Sequence, residues 1–275
     1  MDHITARLLP CYPEEEARSL AWWILEEITG LSRTQLQFAC KDTTFSPYMQ
    51  EKLPEIISRL LNFEPIQYIF GHTLWNGLDL KVTPATLIPR PETAELVEKI
   101  TNHKLQITNC RVLDVGTGSG CIVIALKKAH PSWQVTGIDI SADAIEVAKE
   151  NAKRNGVEVD FEIADIFNHQ SPITNHQYDI VVSNPPYIRE CEKADMRPNV
   201  LDYEPATALF VPDSDPLRFY RRIAEVKSGN YLFFEINEAY ASDISVMLNG
   251  LGYTDIQITK DIYGKDRIIE GRMAG

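Results

Sequence analysis

The stretch Asp179-Ile-Val-Val-Ser-Asn-Pro-Pro-Tyr187 is an apolar strand that stops abruptly at two prolines. Consecutive prolines cannot continue a central strand, because each lacks a backbone donor and fixes its own φ. The chain therefore leaves the sheet as a stiff loop, with the Asn184 amide and the Tyr187 ring at the carboxyl end of the strand. Ligands bind at that end of the strands in open α/β sheets. We expect the loop to hold a planar group that carries an NH2, and we expect methyl transfer to its nitrogen.

The loop also carries groups suited to a poor nucleophile such as an amide nitrogen, whose lone pair is delocalised into its carbonyl. Asn184 offers one side-chain acceptor for the two N–H groups, and the Pro185 carbonyl is expected to supply a second. Tyr187 is expected to wall the planar substrate and exclude water, so that orientation and desolvation provide much of the rate. The predicted catalytic residues are Asn184, Pro185 and Tyr187, and no general base is required.

A glycine-rich loop follows an earlier apolar strand in Val112-Leu-Asp-Val-Gly-Thr-Gly-Ser-Gly120. Glycines let a backbone turn sharply and approach a ligand closely. The dinucleotide fingerprint G-x-G-x-x-G fails because its third glycine position is Cys121, and the observed G-x-G-x-G suits a ligand without a pyrophosphate. Asp139 ends the next strand, where a carboxylate accepts hydrogen bonds from ribose hydroxyls. Together they predict S-adenosylmethionine as cofactor, against the alternative that the glycines only form a tight turn.

Two further acidic residues border the predicted cofactor site. Asp114 either contacts the methionine end of the cofactor or caps the turn. Asp165 follows the third strand and is expected to meet the adenine amino group, whereas Ile166 and Phe167 either pack on the base or belong to the core. The predicted cofactor-binding residues are Gly116, Thr117, Gly118, Ser119, Gly120, Asp139, Asp165, Ile166 and Asn184.

The part of the chain after residue 93 alternates predicted helices and strands. Such alternation predicts a mainly parallel, doubly wound α/β sheet. The last two strands flank Asp261-Ile-Tyr-Gly-Lys-Asp266 and are expected to pair as a hairpin. The predicted strands are 111–115, 134–139, 159–163, 179–183, 231–236, 255–259 and 267–271; the predicted helices are one that begins near residue 93, then 119–129, 141–155, 215–227 and 238–250.

The first part of the chain has a different pattern. Apolar residues recur at helical spacing through residues 14–30 and stop at Gly30, and further helices are predicted around 35–39 and over 47–61. Residues 62–68 either extend the last helix or form a connection. Asn76-Gly77 then lies between alternating apolar residues, which is the strongest short signal for a β-hairpin. We expect this hairpin to bridge a helical domain and the α/β domain.

The composition is typical of a soluble globular protein, with 275 residues, 44% apolar and 24% charged, and it suits one large or two ordinary domains. Net charge is −12, and residues 1–75 carry six Lys or Arg against ten Asp or Glu. A basic patch around Arg218, Arg221 and Arg222 could still exist. The charge nevertheless favours a protein or small-molecule substrate over naked nucleic acid. We expect no direct nucleic-acid partner, no membrane partner, and a monomer.

The cysteines and histidines indicate neither disulfides nor a metal. No C-x-x-C pair and no H-E-x-x-H cluster occurs, so reduced thiols and no metal site are expected. The first residues also lack the pattern of a signal peptide. These features favour a cytoplasmic protein. The cysteines are Cys11, Cys40, Cys110, Cys121 and Cys191.

The order of short motifs resembles one family closely. The chain looks like the peptide chain release factor glutamine methyltransferases, the PrmC or HemK family, over nearly its whole length. The motifs that begin at Pro65 and at Leu87 separate that family from other N-P-P-Y methyltransferases. The motifs are Pro65-Ile-Gln-Tyr-Ile-Phe-Gly71, Leu87-Ile-Pro-Arg-Pro-Glu-Thr93, Leu113-Asp-Val-Gly-Thr-Gly-Ser-Gly120, Ile138-Asp-Ile-Ser141, Val182-Ser-Asn-Pro-Pro-Tyr-Ile188, Tyr203-Glu-Pro205 and Gly264-Lys-Asp-Arg267.

The resemblance implies an architecture and a substrate. It implies an N-terminal helical substrate-recognition domain over residues 1–68, a β-hairpin linker over 69–84, and a seven-stranded, Rossmann-like class I methyltransferase domain over 85–275. The implied substrate is the glutamine of the Gly-Gly-Gln motif in class 1 translation release factors, and the implied product of the cofactor is S-adenosylhomocysteine. The implied substrate-binding residues are Asn184, Pro185, Pro186 and Tyr187, with Arg90, Glu92 and Thr93 at the entrance.

The chain departs from the family pattern at two places. Ile166 stands where the family commonly has an aromatic residue, which weakens the expectation of stacking on adenine. Glu235-Ile-Asn237 stands where the family tends to show Glu-x-Gly, which leaves the role of that turn open. Three alternatives stay open: a ribosomal protein glutamine methyltransferase, which shares most of these motifs, an adenine N6 methyltransferase of nucleic acid, and a non-catalytic cofactor-binding module. A basic recognition domain would be expected of the second, and the intact Asn184 motif argues against the third.

Overall fold

The chain divides into two compact units. The computed structural model describes residues 1–38, 47–103, 108–168 and 178–274, without the side chains of residues 47–50. The first unit comprises residues 1–71 together with 197–203, and the second comprises residues 72–196 and 204–275. Cys40 lies outside the described residues, and the other four cysteines are free.

The first unit is helical. Its core is formed by apolar residues of its helices, and the helix over residues 14–29 buries one stripe: Ala17, Ala21, Ile24 and Leu25. That helix ends at Gly30 with φ 68°, as its sequence predicts. The helix predicted at 35–39 is present as Arg33–Phe38, and Ala39 lies outside the described residues. The helices of its residues 1–71 are α1 (Asp2–Leu8), α2 (Glu14–Thr29), α3 (Arg33–Phe38), α4 (Pro47–Leu61) and α5 (Ile66–Phe70).

A seven-stranded sheet forms the centre of the second unit, which confirms the predicted α/β fold. The strands follow the order β10-β11-β9-β6-β3-β4-β5. Strands β9, β6, β3, β4 and β5 are parallel, whereas β11 runs antiparallel to both β9 and β10. The strands of the second unit are β1 (His72–Trp75), β2 (Leu78–Lys81), β3 (Arg111–Val115), β4 (Gln134–Asp139), β5 (Asp160–Ile163), β6 (Tyr178–Ser183), β7 (Ile188–Arg189), β8 (Phe210–Val211), β9 (Gly229–Glu235), β10 (Tyr253–Lys260) and β11 (Asp266–Met273).

The central strands are buried on both faces. In β6, Ile180 and Val182 belong to one apolar cluster, whereas Val181 belongs to another. Successive side chains of a strand point to opposite faces, so the two clusters cover the two faces of the sheet. Helices are expected on both faces of such a sheet. The remaining helices of the chain are α6 (Pro91–Thr101), α7 (Cys121–Ala129), α8 (Ala142–Arg154), α9 (Pro198–Leu201), α10 (Ala206–Leu209), α11 (Arg218–Val226) and α12 (Ala241–Gly250).

The strand order places a ligand site between β3 and β6. The chain leaves β3 toward β4 and β5, and then returns to the other side of β3 as β6. The connections after β3 and β6 therefore diverge, and a crevice opens at the carboxyl ends of these two strands. The glycine-rich loop follows β3, and Asn184 follows β6. Ser183 links the ends of β6 and β3, because its Oγ donates to the Val115 carbonyl at 2.6 Å.

The predicted β-hairpin is present and packs within the second unit. Asn76 and Gly77 both have positive φ, at 47° and 74°, as a tight hairpin turn requires. The buried Asn151 of α8 binds the hairpin through Lys81, whose N–H donates to Asn151 Oδ1 at 2.6 Å and whose carbonyl accepts from Asn151 Nδ2 at 2.9 Å. The hairpin is thus part of the second unit, and the first stretch of the helical unit runs to Gly71.

Candidate active site

A cavity of about 510 Å³ opens at the carboxyl ends of β3, β4 and β6. Its volume lies within the usual range for small-molecule sites. Most of the predicted site residues line it, namely Arg90, Thr93, Gly116, Thr117, Gly118, Ser119, Asp139, Asp165, Ile166, Asn184, Pro185 and Pro186. Three predicted residues do not line it, namely Glu92, Gly120 and Tyr187.

The glycine-rich loop leaves open space on the cavity side. Gly116, Gly118 and Gly120 have φ of 75°, 53° and 79°, in the left-handed region that favours glycine. A Cβ atom on Gly118 would meet nothing within 4 Å, whereas one on Gly120 would lie 3.1 Å from the Ala148 Cβ. Gly120 therefore lets the loop pack against α8, and Gly118 leaves its backbone accessible to a ligand.

Asp139 holds the glycine-rich loop as well as facing the cavity. Its Oδ2 accepts from the Gly118 N–H at 2.9 Å, and its Oδ1 accepts from the Ser141 N–H at 2.9 Å. Each carboxylate oxygen keeps a second lone pair. Asp139 can therefore accept from ribose hydroxyls without losing its contacts to the loop.

Asp114 carries an unpartnered oxygen beside the loop. The residue is fully buried, and its Oδ2 accepts from Thr117 Oγ1 at 2.7 Å, so it does cap the turn. Its Oδ1 has no hydrogen-bond partner within the described part of the chain. Burial, opposed by the Thr117 hydrogen bond and reinforced by the nearby Asp139, raises the pKa of Asp114 to about 7. A cationic α-amino group would give this oxygen the hydrogen-bond donor that it lacks. The residues present therefore fit S-adenosylmethionine.

The segment after β5 forms an apolar wall of the cavity. Asp165 Oδ1 accepts from the Phe167 N–H at 2.9 Å. Ile166 is 7% exposed and belongs to the core, and it also lines the cavity. The Phe167 ring meets that of Phe219 edge to face at 5.2 Å, with the Arg218 guanidinium 4.6 Å above the Phe167 ring. Arg218 and Phe219 were not predicted as site residues; both lie on α11, far along the chain, and no local motif marks them.

Asn184 is held by a chain of hydrogen bonds that ends at a buried carboxylate. Its Nδ2 donates to Thr93 Oγ1 at 3.1 Å, and Thr93 Oγ1 donates to Glu235 Oε2 at 2.7 Å. Tyr187 completes the group, because its hydroxyl donates to Glu235 Oε1 at 3.2 Å. These contacts leave the Asn184 side-chain oxygen available as an acceptor. Glu235 is a residue that the sequence alone does not identify as functional.

Arg90 is fixed at the edge of the cavity by another residue that sequence motifs did not assign to the site. Its guanidinium donates to Glu204 Oε1 at 2.6 Å, and the Glu204 side chain is only 1% exposed. The Ile88 N–H donates to the second oxygen of Glu204 at 3.2 Å, and the Arg90 carbonyl accepts from Trp75 Nε1 at 2.7 Å. The only signal for Glu204 was its place in Tyr203-Glu-Pro205.

Known proteins resemble this chain over nearly its whole length. Residues 107–230 match a family model described as a methyltransferase domain, and residues 1–71 match one described as the PrmC N-terminal domain. A release factor glutamine methyltransferase of Bacteroides thetaiotaomicron is 45% identical to this chain, and the match covers 98% of this chain and 99% of that protein. The protein of the same name from Flavobacterium psychrophilum is 40% identical, with 96% and 94% covered.

Solved structures match at the level of the fold. The hMettl16 catalytic domain, determined in complex with the MAT2A 3′UTR hairpin 6, superposes with a TM-score of 0.59 at 18% identity and covers 85% of this chain and 94% of its own. Within the described residues, no helix is long and apolar enough to span a membrane. The same residues contain no group of three or more His, Cys, Asp or Glu side chains that could hold a metal ion.

Proposed function

Because the chain belongs to the release factor glutamine methyltransferase family, we propose that it methylates the side-chain amide nitrogen of the glutamine in the Gly-Gly-Gln motif of class 1 peptide chain release factors. The observation that carries this proposal is the Asn184 side-chain oxygen, which is free to accept from an NH2 group at the edge of a cofactor-sized cavity. Proteins of the class I fold use S-adenosylmethionine as methyl donor.

The cofactor is assigned to the half of the cavity that follows β3, β4 and β5. Gly116–Gly120 are assigned the close approach of the backbone to the cofactor, Asp139 accepts from the ribose hydroxyls, and Asp114 offers its unpartnered oxygen to the α-amino group. Asp165 and Ile166 are assigned to the adenine. When bound, S-adenosylmethionine would supply an electrophilic methyl group, and these residues would hold it beside the substrate amide.

The residues after β6 hold the substrate amide. The Asn184 side-chain oxygen accepts from one N–H, and we assign the other N–H to the Pro185 carbonyl. These two acceptors fix the plane of the amide and point its nitrogen toward the methyl group, which gains rate by orientation. Arg90, Glu92 and Thr93 are assigned to the entrance. The Tyr187 hydroxyl donates to Glu235, and the role of its ring as a wall of the substrate site stays a prediction.

The helical unit is proposed to recognise the protein substrate. It matches the PrmC N-terminal domain over its first 71 residues, and its sequence is acidic, which suits a protein partner better than nucleic acid. We further propose that the enzyme acts as a cytoplasmic monomer, without direct nucleic-acid or membrane partners.

Labelled S-adenosylmethionine tests the substrate directly. The protein is incubated with a purified release factor, with ribosomal protein, and with DNA. We expect label on the release factor, and none on the same factor when the glutamine of its Gly-Gly-Gln motif is replaced by alanine. Label on ribosomal protein alone would support the ribosomal alternative, and label on DNA alone would refute protein methylation.

A further inference from the structure

We propose that Thr93 and Glu235 are positioning residues that determine which end of the Asn184 amide meets the substrate. Thr93 is one of the residues predicted at the entrance, and Glu235 is the buried carboxylate to which it donates. The inference rests on the proposed function, because it concerns the acceptor that holds the substrate NH2. Both residues would act on the substrate indirectly, by orienting the Asn184 side chain.

The order of donors and acceptors in this group has one solution when Glu235 is ionised. A carboxylate can only accept, so Thr93 must donate its single hydroxyl proton to Glu235 Oε2. The Thr93 oxygen can then only accept from Asn184, and only the NH2 end of the Asn184 amide can donate. The carbonyl end of that amide is left for the substrate. A fixed acceptor at position 184 thus follows from a charge at position 235.

The opposite order would disable the site. A protonated Glu235 could donate to Thr93, Thr93 would then donate to the Asn184 carbonyl oxygen, and the Asn184 NH2 would point at the substrate. Two NH2 groups cannot hydrogen-bond productively to each other, because neither amide nitrogen accepts. The ionised form of Glu235 therefore permits only the competent orientation, whereas the protonated form permits both.

Tyr187 and the basic residue Arg267 support the ionised form of Glu235. Tyr187 donates to the other carboxylate oxygen, and the positive charge of Arg267 lowers the pKa of Glu235. Burial acts in the opposite direction and is the larger effect, so the pKa of Glu235 is raised above its usual value of 4.5. The titratable or charged groups that act on this carboxyl from neighbouring elements are Glu92, Cys121, Tyr187, Tyr220 and Arg267.

Nuclear magnetic resonance of the Asn184 side chain tests the orientation without any substrate. The ¹⁵N-labelled protein gives an NH2 signal that is assigned by its absence from Asn184→Ala. In the wild type we expect that signal to exchange slowly with water, because one of its protons is bonded to Thr93. In Thr93→Val, which keeps the shape and removes the hydroxyl, we expect exchange at least about tenfold faster. Equal exchange in the two proteins would overturn the proposal.

Kinetics test the consequence for catalysis. With Thr93→Val we expect kcat to fall about 100-fold, which is the cost of a misplaced reactive group, while the Kd for S-adenosylmethionine stays within twofold. Thr93→Ser keeps the hydroxyl and should recover most of the lost rate. Thr73→Val is the matched control, since Thr73 is buried on the hairpin away from the cavity, and it should keep kcat within twofold. Thr93→Ser as slow as Thr93→Val would mean that packing, and not the hydroxyl, matters.

The two tests separate this inference from the proposed function. A wild-type protein that leaves release factor unlabelled refutes the substrate assignment, whereas the exchange measurement still supports or refutes the hydrogen-bond order. A wild-type protein that labels release factor, with Thr93→Val equally fast, refutes the positioning role alone.

Discussion

The two halves of the proposed site are built in different ways. The cofactor half uses a loop and a carboxylate that lie close in sequence, and Asp139 is 21 residues from the backbone N–H that it binds. The amide half uses Thr93, Asn184 and Glu235, which are separated by 91 residues in one contact and 142 in the other. Backbone geometry dominates the first half and buried side-chain polarity dominates the second. Substitutions are therefore expected to disable cofactor binding and substrate orientation independently.

Asn184→Ala should show the largest effect and the cleanest separation of the halves. It removes the acceptor for the substrate N–H and leaves the glycine-rich loop intact. We expect kcat to fall about 1,000-fold, comparable to the loss of one preorganised hydrogen-bonding group in other active sites. Isothermal titration should give an unchanged Kd for S-adenosylmethionine. Loss of cofactor binding together with rate would instead mark Asn184 as structural and would break the comparison.

Glu235→Gln should reduce kcat about 30- to 100-fold, because an amide in place of the carboxylate no longer fixes the order of donors through Thr93. The pH dependence sharpens this test. Full activity requires the ionised form of Glu235, and burial raises the pKa of this carboxyl above 4.5. Activity should therefore fall as the pH drops through that raised pKa.

The pH profile is measured at saturating cofactor, because Asp114 has a pKa of about 7 and can titrate in the free enzyme. In Glu235→Gln the acid limb that belongs to Glu235 should disappear, and the low remaining rate should be flat in that interval. An acid limb at the same pH in both proteins would assign it to another group.

Asp139→Ala should weaken cofactor binding by about 1–3 kcal/mol, the usual value of hydrogen bonds to a charged group. Part of the loss reflects the Gly118 N–H, which also loses its acceptor. Titration calorimetry measures the Kd, and kcat at saturating S-adenosylmethionine should stay near that of the wild type. An unchanged Kd would refute the ribose role.

Gly118→Ala should have the smallest effect of the series. The substitution meets no atom within 4 Å but forces a Cβ onto a residue with φ 53°, which costs about 1 kcal/mol. Cofactor affinity should fall by about that amount, with kcat retained. Gly120→Ala is the comparison, because its Cβ would also press on Ala148 at 3.1 Å and should additionally lower the melting temperature.

Much of the second unit follows from local sequence. Strands β3 and β4 have the predicted bounds. Strand β3 ends just before Gly116 and strand β4 ends at the carboxylate Asp139, so the sequence marks both carboxyl ends. Helix α8 begins one residue after predicted because Ser141 is its cap and accepts from the Ala144 N–H at 3.1 Å. The hairpin at Asn76-Gly77 was predictable for the same reason: its turn chemistry lies within two residues.

Other features depend on contacts that no window of sequence contains. Strands β7 and β8 are two residues each and pair with each other across 20 residues, and α1 is seven residues long. Such short segments carry too little periodicity to be detected. Glu235 and Glu204 are buried polar residues, and their partners Thr93 and Arg90 lie 142 and 114 residues away in the sequence.

The segment at residues 197–203 makes the helical unit discontinuous in sequence. It contributes Tyr203, whose hydroxyl donates to the Asn62 carbonyl at 2.8 Å within that unit, and Glu204 follows it directly as the partner of Arg90. Recombination with a single crossover near residue 71 would therefore exchange most of the helical unit but leave this foreign piece behind. A chimaera that exchanges the whole helical unit therefore needs a second graft over residues 197–203.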